Sequence, residues 1–255
     1  MSKKIPLLLA VALTLLACSS SDEQTPSSSE QTLSSSSGDS SSSSSNLNSS
    51  SGINKCGSNP QPYNPDLYEC KPEINPNGIY LKQKPRDSQG NEYKAVLIGN
   101  QTWMAENLNY DGGDGSVGRC YEDNNDNCNT YGRLYILNEV ECPSGWHLPS
   151  KEEWLELLNF VSNAGTKLKA SSGWNGDGNG TDDYGFAALP GGYCGNSCPI
   201  ENSPFSDIGT RSFWWSASVS APAPLSITFS MSSGISVGVF QSNANSRFYA
   251  RCISD

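Results

Sequence analysis

Apolar and polar positions change rhythm several times along this chain, and each change predicts an element. Asp87–Gly90 reads as a turn, followed by an apolar strand from Tyr93 to Ile98. Gly99-Asn100 then reads as a hairpin turn into a second strand around Thr102–Glu106. In TYGRLYILNEV, Tyr131, Leu134, Tyr135 and Asn138 fall at i, i+3, i+4 and i+7, the spacing of one helical face. A second helix is more fully marked. Ser150 and Glu153 have the spacing of a capping box, and Pro149 and Trp154 occupy the positions of a hydrophobic staple. Trp154, Leu157, Leu158 and Val161 line one face, while Glu152 and Glu153 complement the helix dipole in the first turn. Residues 163–212 are rich in Gly, Asn and Asp with little periodicity. SFWWSASVS, PLSITFSM, GISVGVF and RFYARCI then alternate or are β-branched, as strands are. Strands, two helices, a long loop region and more strands make an α+β domain, with no βαβ rhythm and no repeat.

The first 77 residues have a different pattern. Lys3 and Lys4 precede a short apolar run, Leu7 to Leu16, too short to span a bilayer and flanked as in a signal peptide. Leu15-Leu16-Ala17-Cys18 resembles a bacterial lipobox, which makes residues 1–17 a lipoprotein signal peptide and Cys18 the lipidated residue. That implies an exported lipoprotein held on a lipid bilayer, at the outer membrane or cell surface, since several acyl chains anchor stably where one does not. Residues 19–51 contain 19 serines in 33 positions and almost nothing apolar. Residues 18–51 therefore read as a disordered tether, because so little burial cannot offset the entropy of ordering. In CGSNPQPYNPDLYEC the three prolines exclude a helix and favour turns. Closing Cys56 to Cys70 would make residues 52–77 a small stapled collar before the main domain at 78–255, with no chemistry of its own.

Charge and cysteine count narrow the function classes. The 255-residue chain carries a formal charge of −10. Removing residues 1–17 takes away two lysines and no acids, which deepens it to −12. So acidic a body argues against nucleic acid and against electrostatic adhesion to anionic lipid. Nine cysteines is an odd number, and assigning Cys18 to lipid leaves eight for four disulfides in an oxidising compartment.

DSQGNEYK, WMAENLNY, CYEDNNDNCNTYGRLY, CPSGWHLPSKEEW, GFAALPGGY, WWSAS and RFYARCISD occur in order and at sensible spacings across residues 85–255. This set resembles the Fibrobacter succinogenes major paralogous domain, a family found on exported bacterial lipoproteins. The resemblance implies a C-type-lectin-like fold, related to the HLP-helix pattern of formylglycine-generating enzymes. Eight cysteines allow on the order of a hundred connectivities. The implied fold selects Cys142 with Cys252 across the domain ends, and nearness selects Cys120 with Cys128 and Cys194 with Cys198.

Candidate chemistry is sparse. His147, the only histidine, offers no second imidazole for a zinc set and reads as a turn residue under the second helix. Neither GxSxG nor HExxH occurs. Cys194 and Cys198 are the one close pair in the loop region that a formylglycine-type oxidase could use in reduced form. No catalytic residue is assigned, and no cofactor is required. Asn175, Asp177, Asn179 and Gly180 match positions 1, 3, 5 and 6 of an EF-type loop, but Phe186 stands where that loop needs Glu. Asp182 and Asp183 remain available to complete a calcium cage. Trp174, Tyr184, Tyr193 and Trp214 form the candidate ligand face, although in a Trp214-Trp215 strand pair at least one ring must be core. The expectation is a noncatalytic surface lipoprotein whose loops bind a glycan or a protein. A ligand-free structural protein and a remote oxidase are the alternatives.

Overall fold

The computed structural model describes residues 54–195, 198, 205–220, 225–231, 237–243 and 245–255. The leader, Cys18, the serine tether and the first residues of the collar lie outside them. In chain order the elements are β1 (Tyr68–Cys70), β2 (Ile79–Leu81), β3 (Ala95–Ile98), β4 (Gln101–Met104), α1 (Asn125–Tyr131), β5 (Trp146–His147) and α2 (Lys151–Phe160). Then follow β6 (Gly191–Cys194), β7 (Phe205–Ile208), β8 (Phe213–Ser220), β9 (Leu225–Met231), β10 (Val237–Asn243) and β11 (Ile253–Ser254). Two helices, antiparallel sheets and four disulfides give the expected α+β, stapled architecture.

The main sheet runs β1-β2-β3-β4-β11-β5, beside a three-stranded sheet β10-β9-β8 and a two-stranded pair β6-β7. The hairpin forms where the apolar pattern predicts it. Gly99 takes a positive φ of 63° in the turn, and Ala95 to Ile98 pair with Met104 to Gln101. The last strand, β11, inserts between β4 and β5, so Ile253 faces both Trp103 and His147. Cys142–Cys252 locks this closure across a sequence separation of 110, and Cys56–Cys70, Cys120–Cys128 and Cys194–Cys198 complete the expected set.

Helix α2 also agrees with its sequence pattern. The Ser150 hydroxyl accepts from the Glu153 N–H, and the Glu153 carboxylate accepts from the Ser150 N–H. Trp154, Leu157, Leu158 and Val161 are all buried. Trp154 packs 4.5 Å from Trp103, and Phe186 meets both rings edge-on. This aromatic trio anchors one core cluster. A second contains Tyr135, Trp215 and Phe248, with the last two rings 4.6 Å apart.

Three expectations are corrected. The helix predicted across TYGRLYILNEV lies upstream, at Asn125–Tyr131, and stops at Gly132, whose φ is 78°. A Cβ there would lie 2.8 Å from the Leu108 carbonyl oxygen, so only glycine allows the close approach. Beyond it, Leu134 and Tyr135 bridge to Arg119 and Phe248 and enter opposite clusters. Adjacent residues buried on opposite sides are extended chain, which the mixed apolar spacing disguised.

Secondly, the collar is not a separate unit ahead of residue 78. β1 pairs with β2 in the main sheet, Tyr68 opposite Leu81 and Cys70 opposite Ile79. The Tyr68 hydroxyl lies 2.6 Å from the Thr102 hydroxyl, and the Gln61 side chain accepts from the Gly99 N–H. An edge strand needs partners for its N–H and C=O groups, and the stapled segment supplies them. Thirdly, Trp214 is not on a ligand face: it and Trp215 are both fully buried, because β8 runs between the two clusters and neither of its faces is free there.

Candidate functional site

A cleft of ≈ 480 Å³ opens where the collar, the β3–β4 hairpin, the end of α1 and the 182–189 segment converge. Its size falls in the ordinary range for small-molecule sites, about 300–1,000 Å³. Tyr80, Glu106, Asn109, Asn129, Tyr131 and Asp182 line it, with Ile74 contributed by the collar. Arg251 also borders it, although the side chain is only 1 % exposed.

Arg251 organises this region. Its Nε donates to Asn107 Oδ1 at 2.7 Å, Nη1 donates to the Phe186 carbonyl, and Nη2 donates to the Ala187 carbonyl at 3.1 Å. The guanidinium lies 4.3 Å over the Phe186 ring. Asn107 Oδ1 also accepts from Trp214 Nε1, and Asn107 Nδ2 donates to the Tyr131 carbonyl. One buried polar cluster thus joins the segment after β4, the end of α1, the 186–187 backbone, β8 and the run into β11. Burial pulls the Arg251 pKa down to about 9, a fall resisted by the charges of Asp182 and Glu106. The guanidinium still carries its charge at neutral pH.

The carboxylates around it differ. Burial raises Asp182 to about 6, against the pull of the Ala187 N–H, Arg251 and Asn75. Its Oδ1 accepts from Ala187 N at 2.8 Å, and Oδ2 accepts from Asn75 of the collar at 3.3 Å. Burial opposes ionisation of Glu106 too, but the Lys94 N–H and ammonium outweigh it and hold the group below its usual range. Lys94 Nζ sits 2.9 Å from Glu106. Burial, with Asp182 and Glu106 nearby, pushes the Tyr80 phenol up to about 12, so it remains a donor.

The residues expected to form a ligand face are dispersed. Trp174 is 4 % exposed and donates its Nε1 to the Ala188 carbonyl, and Trp214 is enclosed by the Asn107 contact. Both are corrected to core residues: each indole N–H finds its partner inside. Tyr184 stacks edge-on with Phe160, and Tyr193 with Phe213, each half-buried. Of the calcium candidates, Asn175, Asp177 and Asn179 are exposed, whereas Asp182 turns inward to Ala187 and Asn75. Asn179 Oδ1 is engaged by the Trp174 N–H. Among the described residues no group of three or more His, Cys, Asp and Glu side chains is placed to hold a metal. Asp182 alone of all these residues borders the cleft.

His147 is on β5, not in a turn. Its Nδ1 lies 2.7 Å from Asp255 and its Nε2 2.8 Å from Glu153, with the side chain 41 % exposed. The imidazole bridges the helix-capping glutamate to the final residue. Arg251 and Asn107 went unnoticed in the sequence. Arg251, the second arginine of the apolar RFYARCI run, was their one signal.

The fold and cleft define a disulfide-stapled α+β domain with a polar, open depression. The Fibrobacter succinogenes major domain matches residues 96–254, well over half of the chain, and the chain belongs to that family. No curated protein and no solved structure matches it.

Proposed function

We propose that this chain is a noncatalytic cell-surface lipoprotein: an anchor at Cys18, a serine tether, and a C-type-lectin-like domain that binds a glycan or a surface-protein ligand in adhesion or attachment. The observation that carries this reading is the ≈ 480 Å³ cleft, walled by polar side chains on a stapled scaffold. All eight cysteines among the described residues are disulfide-bonded, which favours binding over a thiol-dependent oxidase. Full-length protein applied to an array of immobilised saccharides and surface proteins is expected to be retained by a defined subset. No retention on any of them would favour the ligand-free structural protein. For the anchor, Cys18→Ser is expected to move the protein from the detergent phase to the aqueous phase on cloud-point partitioning. Unchanged partitioning would remove the lipid from the reading.

A further inference from the structure

We infer that the cleft takes an uncharged saccharide, with the Tyr80 hydroxyl and the Asn109 amide as its specificity contacts; this rests on the binding role proposed above. Several polar groups at the cleft have no partner among the described residues, and two of them sit close to its wall. Neither the Tyr80 hydroxyl nor Asn109 Oδ1 hydrogen-bonds to a described residue, and Asn109 Oδ1 is also shielded from solvent. Leaving a shielded acceptor unpaired is costly, and folded chains seldom tolerate it without a use for the group. Glycines make room at the phenol: a Cβ on Gly185 would sit 2.6 Å from the Tyr80 hydroxyl, and one on Gly78 3.1 Å away.

The charges at the cleft are already committed. Lys94 is held by Glu106, and Arg251 donates to three acceptors of its own chain. Neither offers the fork or free ammonium that binds a carboxylate or phosphate. Glu92, Glu106 and Asp182 border the same space and repel anions. What remain are the phenols of Tyr80 and Tyr131 and the amides of Asn109 and Asn129. The Tyr131 ring and Ile74, which is 50 % exposed, add apolar contact. Hydroxyl donors and acceptors set over apolar C–H surface are the features of a neutral sugar ring.

The test is calorimetric titration of detergent-solubilised full-length protein with neutral hexasaccharides (gluco-, xylo- and manno-configured). Hexagalacturonate serves as the anionic counterpart and a chitosan hexamer as the cationic one. The wild type is expected to bind a neutral member and neither charged one. Tyr80→Phe and Asn109→Ala are each expected to weaken that binding about tenfold, the worth of one hydrogen bond. Thermal unfolding should leave the Tm of both variants unchanged or raised, since neither removed group has a partner to lose. Binding of the neutral sugar undiminished in both variants would place the ligand elsewhere. Preference for a charged oligomer would overturn the inference, as would retention of surface proteins alone, which leaves the general binding role standing.

Discussion

Two polar clusters tie the C-terminal residues to distant parts of the chain, and they do so in opposite solvents. Arg251 is buried, with three neutral acceptors and an aromatic ring around its charge. His147, four positions before α2, bridges Glu153 and Asp255 with 41 % of its side chain exposed. The contact distances are similar. The expected energies are not, because water competes freely for the second set, whereas Arg251 is only 1 % exposed. Burial, not bond count, should rank them.

Four substitutions test that ranking, from the largest expected effect downwards. Arg251→Met leaves the Phe186 and Ala187 carbonyls without their donor and Asp182 without its nearby cation. Urea unfolding should show a loss of about 3–5 kcal/mol. A loss below about 1 kcal/mol would mean that water reaches the cluster. Trp214→Phe removes one of the two donors to Asn107 Oδ1 and leaves a small void, which should cost about 1–3 kcal/mol in the same assay. On the wet side, Ser150→Ala deletes the α2 cap and should cost about 1 kcal/mol.

The smallest effect belongs to His147→Gln, below about 1 kcal/mol at neutral pH and shrinking further in high salt. Its pH dependence is the sharper measurement. Partial burial lowers the imidazole pKa, but hydrogen bonds to Asp255 and Glu153 outweigh it and the net shift is upward. The folded state therefore holds the proton more tightly than the unfolded chain. The stabilisation is complete below the unfolded value of about 6.5 and disappears as pH rises through the raised folded value. Glu153 bounds the window from below: burial raises it, but the Ser150 N–H and His147 outweigh burial and its net shift is downward. Its contribution is lost as pH falls through the folded value. Wild type and His147→Gln should thus differ most in mildly acidic solution and converge in alkali. Unfolding curves that differ equally at all pH values would show that the bridge is not ionic.

Parts of this molecule were legible residue by residue. Helix α2 is a local object: a serine cap, a glutamate three residues on and an apolar stripe specify it with no help from elsewhere. The β3–β4 hairpin is equally local, since Gly99 sets the turn and the flanking apolar run sets the strands. The disulfide partners agreed with nearness and family resemblance. TYGRLYILNEV misled because a helical spacing of apolar residues also arises when consecutive residues are buried on opposite sides of an extended chain. Trp174 and Trp214 misled for a related reason: a large aromatic in a polar, glycine-rich context looks available until its enclosing neighbours are known.

The sequence by itself determined the α+β class, the capped helix, the hairpin and the family, because each depends on neighbours a few positions apart or on a linear motif. Only the tertiary structure decided where the cleft lies and what borders it. Tyr80, Asn109, Asp182 and Arg251 are separated by up to 171 positions and meet through the closure of β11 beside β4. The burial that sets their charges and leaves the Tyr80 hydroxyl and Asn109 Oδ1 without a described partner is a property of that assembled space. No single segment carries it.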